Sequence, residues 1–195
     1  MTKTTLTKPK HRTIRSRAFA SIALAVALGV AGPACAPAPT AVRSFEDTFP
    51  HQLDSFPVVG PVAYTDDYGA ARSGGRSHDG TDLMADRGQQ LLAVEAGTLV
   101  SVGYSSLSGN KIWLVAEDGA AYFYAHLDSF APGISEGKTV WAGQVLGTVG
   151  NTGNASGGAP HLHFEIHPGG RAASSINPYD LLIEAQSRGP VVPVA

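Results

Sequence analysis

His161-Leu-His-Phe-Glu-Ile-His167 is the stretch on which the fold turns. Side chains along a β-strand alternate between two faces with a period of two. Read that way, Leu162, Phe164 and Ile166 point into a core, while His161, His163, Glu165 and His167 share the opposite, open face. Upstream, residues 111–117 read as a strand running into Asp118-Gly119, a hairpin signal, with 120–127 returning as its partner. The same alternation predicts Tyr122, Tyr124 and His126 on one face there, with Phe123, Ala125 and Leu127 on the other. Residues 91–102 are β-rich with a turn expected at Gly97, and 140–149 read as two short strands joined near Gly143. The only helical text in this region is a short turn over Tyr179 to Ala185. Many short strands with tight turns predict an all-β sandwich or a partly open barrel.

The open face carries chemistry. Four of the chain's seven histidines join one aspartate in an ordered pattern: His78 and Asp82 as His-x-x-x-Asp, His126 alone, then His161 and His163 as His-x-His. Zinc takes imidazole nitrogen and carboxylate oxygen, and a catalytic site uses three such ligands with the fourth position open to water. Two histidines and an aspartate meet that count and leave two histidines for proton work. His78 and Asp82 share a face if their segment is extended, and Gly80 between them disfavours a regular helix. Glu165 either holds a ligand histidine from behind or faces solvent, and His167 reads as a solvated strand end. Arg76 and the tyrosines 64, 68, 122 and 124 either line the groove or pack in the ordinary way. The run Gly147 to Gly158 lacks the Gly-Lys-Ser/Thr ending of a phosphate loop, so its glycines are read as letting an extended peptide approach. No His-Glu-x-x-His occurs, which excludes the helix-borne zinc protease.

Charge and composition set the context. Six of the fourteen Lys and Arg fall within the first seventeen residues, an apolar run follows from Ala18 to Ala31, and then comes Gly32-Pro33-Ala34-Cys35-Ala36. That order predicts a secretory signal over residues 1–36, cleaved after Ala36. The apolar run is short for a membrane span, so none is expected in the mature chain. Cys35 admits a second reading, a lipid anchor of the bacterial lipoprotein kind, although Gly32-Pro33-Ala34 lacks the expected leucine-like residue. Past Ala36, eight basic residues face sixteen acidic ones, a formal charge of −8 that argues against a nucleic-acid partner. No cysteine remains there, so stability cannot rest on disulfides, and a bound metal could supply part of it. Residues 37–56 read as a linker and 184–195 as a flexible tail, with His51 in the linker and His11 in the signal.

Gly74-Gly-Arg-Ser-His78-Asp-Gly-Thr-Asp82-Leu, Tyr124-Ala-His126-Leu and Pro160-His161-Leu-His163-Phe-Glu-Ile together resemble the M23 zinc endopeptidases. This is the lysostaphin- and LytM-like group that cuts peptide cross-links of bacterial cell walls. The resemblance covers residues 57–183 and implies an open antiparallel β-sandwich or half-barrel of the duplicated hybrid motif type, with a long substrate groove. It implies Zn2+ held by His78, Asp82 and His163, and His126 with His161 acting on protons and developing charge. The implied partner is peptidoglycan, its stem peptides and cross-bridges, with the protein exported to the cell envelope or beyond.

Three rival readings follow from the same residues. Some relatives keep the fold, lose metal ligands and act as non-catalytic, envelope-binding activators of other hydrolases; the intact set of five residues speaks against that. Val140-Trp-Ala-Gly-Gln-Val-Leu-Gly hints at a lipoyl- or biotin-carrier domain, but Lys111 and Lys138 are not evidently at a hairpin tip. A carboxypeptidase trimming a free peptide end remains open within the enzyme class.

Overall fold

The computed structural model describes residues 52–189. A two-residue strand, β1 (Ala71–Arg72), pairs with β2 (Arg76–Ser77) in a small separate ribbon. The main antiparallel sheet is built from β3 (Thr81–Met84), β4 (Gln90–Leu92), β5 (Gly97–Ser105), β6 (Gly109–Ala116), β7 (Ala121–Phe130), β8 (Thr139–Val140), β9 (Val145–Val149) and β10 (His161–His167). Its strands run in the order β3-β10-β7-β6-β5-β8, with β9 pairing both β7 and β4. One helix, α1 (Tyr179–Arg188), closes the described chain. The all-β expectation holds.

Strand β10 behaves as its alternation requires. Leu162, Phe164 and Ile166 are fully buried, each contributing about 1.5–3 kcal/mol of hydrophobic stabilisation. The Asp118-Gly119 hairpin also forms: Gly119 takes a positive φ of 92°, and the Asp118 carboxylate accepts from the Ala120 N–H. The turn expected at Gly97 lies just before it. Gly97 opens β5, pressed so close to β6 that a Cβ there would sit 2.3 Å from the Val115 carbonyl oxygen.

Strand β7 departs from simple alternation. Tyr122 and Tyr124 are buried in the core against Phe164, as one face, but His126 does not join them. His126 has φ 65°, the only non-glycine residue among those described with a positive φ, and it falls where the β6–β7 register slips. That bulge returns Leu127 to the core and turns His126 onto the groove face with Phe123 and Ala125. The same point is a fork, because β7 pairs β10 as far as Ala125 and pairs β9 from Leu127 onward.

The packed body is larger than expected at both ends. Leu53 and Phe56 are buried in the core cluster, although the sequence places them in a linker. α1 continues to Arg188 with Ala185 buried, so part of the expected tail is helix. Two apolar anchors in irregular, proline-bearing text produce no period, which is why they were not visible. The expected signal, Cys35, most of the linker with His51, and the end past Gly189 lie outside the described residues. Among the described residues no helix is long and apolar enough to cross a membrane.

Candidate metal centre and groove

Three segments converge. Asp82 on β3 lies directly across from His163 on β10. His78 precedes β3 in an extended segment held by its backbone bonds to Ala70 and Gly69. Gly80 lets that segment lie against β10, since a Cβ there would sit 2.2 Å from the Phe164 carbonyl oxygen. As a result His78 Nε2, Asp82 Oδ1 and His163 Nδ1 form a near-equilateral triangle with sides of 3.1, 2.9 and 3.0 Å.

The outer contacts fix how the two imidazoles face the triangle. His78 Nδ1 faces outward, 3.0 Å from the Asp67 carbonyl and 2.6 Å from the Arg72 guanidinium, which turns Nε2 towards Asp82 and His163. The Nε2–H of His163 donates to Glu165 Oε1 at 2.8 Å, which turns Nδ1 towards His78 and Asp82. Three such acceptor atoms about 3 Å apart repel unless a proton or a metal cation lies among them. Tetrahedral ligands at ~2.0–2.2 Å from zinc stand about 3.3 Å from one another, so the triangle fits such an ion. Burial would push the Asp82 carboxyl up, but its hydrogen bonds with His163 and His78 outweigh this and hold it well below the usual carboxylate range. For His163 burial acts downward, yet the Asp82 and Glu165 carboxylates raise it to about 9. A metal entering this site therefore displaces a proton held between ligands.

Arg72 completes the cluster. Its Nη2 donates to Asp82 Oδ2 at 2.7 Å and to Asp67 Oδ2 at 3.0 Å, so one guanidinium ties the inner carboxylate to the one beside His78. Nothing in the spacing of the sequence singles Arg72 out, because it acts from a separate ribbon. Glu165 and His167 also differ from a simple solvent-facing strand end: both are largely buried and bonded to each other at 2.7 Å.

Above the triangle opens a cleft of about 350 Å³, lined among others by Arg76, Phe123, His126, His161 and His163. The rings of His126 and His161 lie 5.0 Å apart, and His126 is 6.0 Å from His163. His126 donates from Nδ1 to the Thr152 carbonyl at 2.8 Å, and His161 from Nδ1 to the Ala159 carbonyl at 3.0 Å. That leaves His126 Nε2 unprotonated. Burial, helped by the neighbouring histidines His161 and His163, pushes His126 down to about 4. Arg76 lines the cleft as the sequence allowed; the four tyrosines do not, with Tyr122 and Tyr124 in the core and Tyr64 packed on Phe56 and Tyr179.

Two loops form one wall of the cleft and grip His126 between them. Ser108 accepts the His126 backbone N–H at 2.8 Å, and Asn154 donates to the Leu107 carbonyl at 3.1 Å. Thr152 Oγ1 accepts from the Asn110 N–H and donates to the Leu127 carbonyl. Gly109 and Gly153 let the two backbones touch, as a Cβ on either would fall 2.2 Å from the other loop.

Residues 76–178 match the family described as Peptidase family M23. The chain belongs to that family. It is 33% identical over 131 residues to an L-Ala–D-Glu endopeptidase of Bacillus subtilis, a match covering 63% of this chain and 40% of the relative. It is 38% identical over 93 residues to the glycyl-glycine endopeptidase ALE-1 of Staphylococcus capitis, covering 47% of this chain and 25% of that one. The catalytic domain of the antimicrobial peptidase lysostaphin from Staphylococcus simulans superposes with a TM-score of 0.56 at 31% identity, covering 63% of this chain and 92% of that domain. The chain thus spans well under half the length of these curated relatives, while nearly all of the lysostaphin domain is matched. The open antiparallel sheet is the fold of these M23 domains.

Proposed function

We propose that this chain is a zinc-dependent endopeptidase that hydrolyses amide bonds in the peptide cross-links of peptidoglycan. The observation that carries the reading is the triangle of His78 Nε2, Asp82 Oδ1 and His163 Nδ1 beside two further histidines in one cleft. Membership of a peptidase family supports the reaction class, and the relatives' wall-peptide bonds support the substrate. The basic and then apolar run over residues 1–36 supports export to the envelope, with Cys35 as a candidate lipid anchor.

In this reading His78, Asp82 and His163 hold Zn2+, which when bound supplies Lewis acidity towards the scissile carbonyl and acidifies water. Arg72 holds the second oxygen of Asp82, leaving Oδ1 for the ion. His126, neutral at physiological pH and held through Nδ1 on Thr152, presents Nε2 as a proton acceptor to the attacking water. Its low affinity for that proton makes it an effective donor to the leaving amine. His161, its ring 5.0 Å from that of His126 across the cleft, acts on the developing oxyanion. Phe123 and Arg76 line the cleft beside these groups, where an extended peptide would lie.

The test is to incubate purified protein lacking residues 1–36 with cell-wall sacculi and identify products by mass spectrometry. About one zinc per chain and soluble peptides bearing new amine ends are expected, both abolished by a chelator. If folded, zinc-replete protein leaves sacculi and cross-linked peptides of several wall types intact, it is a binding module instead. Release of single C-terminal residues would mark a carboxypeptidase.

A further inference from the structure

His163, Glu165 and His167 occupy alternate positions on one face of β10, so strand geometry alone sets them in a row. The row is hydrogen-bonded end to end. His163 Nε2 meets Glu165 Oε1 at 2.8 Å, Glu165 Oε2 meets His167 Nε2 at 2.7 Å, and His167 Nδ1 meets the Ala173 carbonyl at 2.8 Å. Both nitrogens of His167 therefore face atoms that can only accept. A neutral imidazole has one N–H, and two such contacts at hydrogen-bonding distance require two. His167 is an imidazolium, and its charge balances the Glu165 carboxylate.

The pair is shielded. His167 is 8% exposed, with the Trp113 ring edge-on at 5.0 Å and the Arg171 guanidinium over Trp113 at 5.3 Å. The loop after β10 folds back through Gly170 N–H to His167 O and Ala173 N–H to Gly170 O, which brings the Ala173 carbonyl into place. The groups facing His167 are thus the Glu165 carboxylate, the Ala173 carbonyl, the Trp113 edge and, at longer range, Asp79. Its acidity shifts the same way: burial opposes the charge, but Glu165 and Ala173 outweigh it and raise the imidazole's affinity for a proton.

We propose that His167 is a positioning residue for the metal centre: a buried cation that clamps Glu165 so that Glu165 fixes His163 with Nδ1 free to bind metal. This rests on His163 being a ligand, as proposed above. Without His167, Glu165 would lose the partner of its second oxygen and be free to rotate away, and His163 could then place its proton on Nδ1, where it blocks the ion.

The test compares the wild-type protein with His167→Gln, His167→Lys and Glu165→Gln, using zinc affinity from competition with a chromophoric chelator and urea unfolding of the metal-free forms. His167→Gln is expected to weaken zinc binding roughly tenfold and Glu165→Gln by about 10–100-fold. His167→Lys, which keeps the cation, should recover part of the loss. Nitrogen NMR on metal-free protein should show His167 protonated at both nitrogens at neutral pH. Unchanged zinc affinity in folded His167→Gln, or a neutral His167, overturns the proposal. So does a loss of stability with no loss of affinity, which marks a purely structural residue. If His167→Gln fails to fold, the Lys variant and the NMR measurement decide. Failure of the wild type to bind zinc would overturn the ligand assignment itself, a separate outcome.

Discussion

His126 makes the burial of a histidine in the cleft measurable as a pH-dependent stability. Unfolded, its imidazole takes a proton near the ordinary 6.5; in the cleft it resists until about 4. The folded state therefore binds fewer protons than the unfolded state between those values, and stability is lost as pH falls through that window. Each pH unit within it costs up to about 1.4 kcal/mol, and integrating from pH 7.5 to 4.5 gives a loss of about 2.5 kcal/mol from this one side chain. At 8% exposure the residue is little screened, so the figure needs no large reduction. The informative variant is His126→Asn, because asparagine tolerates the left-handed backbone at φ 65° and does not titrate. Urea unfolding with chelator present, at both pH values, should show the wild type losing about 2.5 kcal/mol more than the variant. Contributions from the other histidines and carboxylates are shared by both proteins and cancel in the difference. Parallel losses in the two proteins would refute the claim that His126 is held neutral by burial.

Three further outcomes are expected. Gly80→Ala drives a methyl into the Phe164 carbonyl, so it should cost about 2 kcal/mol or more and lower zinc affinity together, as read by unfolding and chelator competition. Thr152→Val removes the acceptor of the Asn110 N–H and the donor to the Leu127 carbonyl; about 1–3 kcal/mol of stability and much of the turnover should go, while zinc content holds. Leu53→Ala should cost about 2–5 kcal/mol by thermal or urea unfolding, with hydrolysis of sacculi retained below the melting transition, since Leu53 packs in the core and does not line the cleft.

The apolar face of strand β10 could be read from sequence, because Leu162, Phe164 and Ile166 alternate into the core with the period of two that a strand imposes. The same rule misplaced His126: one residue with a positive φ reverses the alternation, and no neighbouring glycine or proline marks the bulge. Donor residues could be nominated because metals demand particular side chains. Their supports could not. Thr152 and Ala159 act through backbone carbonyls, which any residue supplies, and Arg72 reaches Asp82 from a ribbon outside the main sheet. His167 was misjudged because its burial depends on a later loop and on Trp113 two strands away. Leu53 and Phe56 were missed because anchoring by isolated apolar residues leaves no periodic trace.

The paired wall of the cleft limits how this protein could be re-tooled. The loop around Leu107 and Ser108 and the loop around Thr152 and Asn154 are interlocked by backbone contact at two glycines. Transplanting either one alone from a relative with another bond preference would unseat His126, whereas exchanging both as a cassette would leave the donors on β3 and β10 undisturbed. Diversification of bond preference in such a scaffold is thus expected to move in coupled steps, two loops inherited together, rather than one residue at a time.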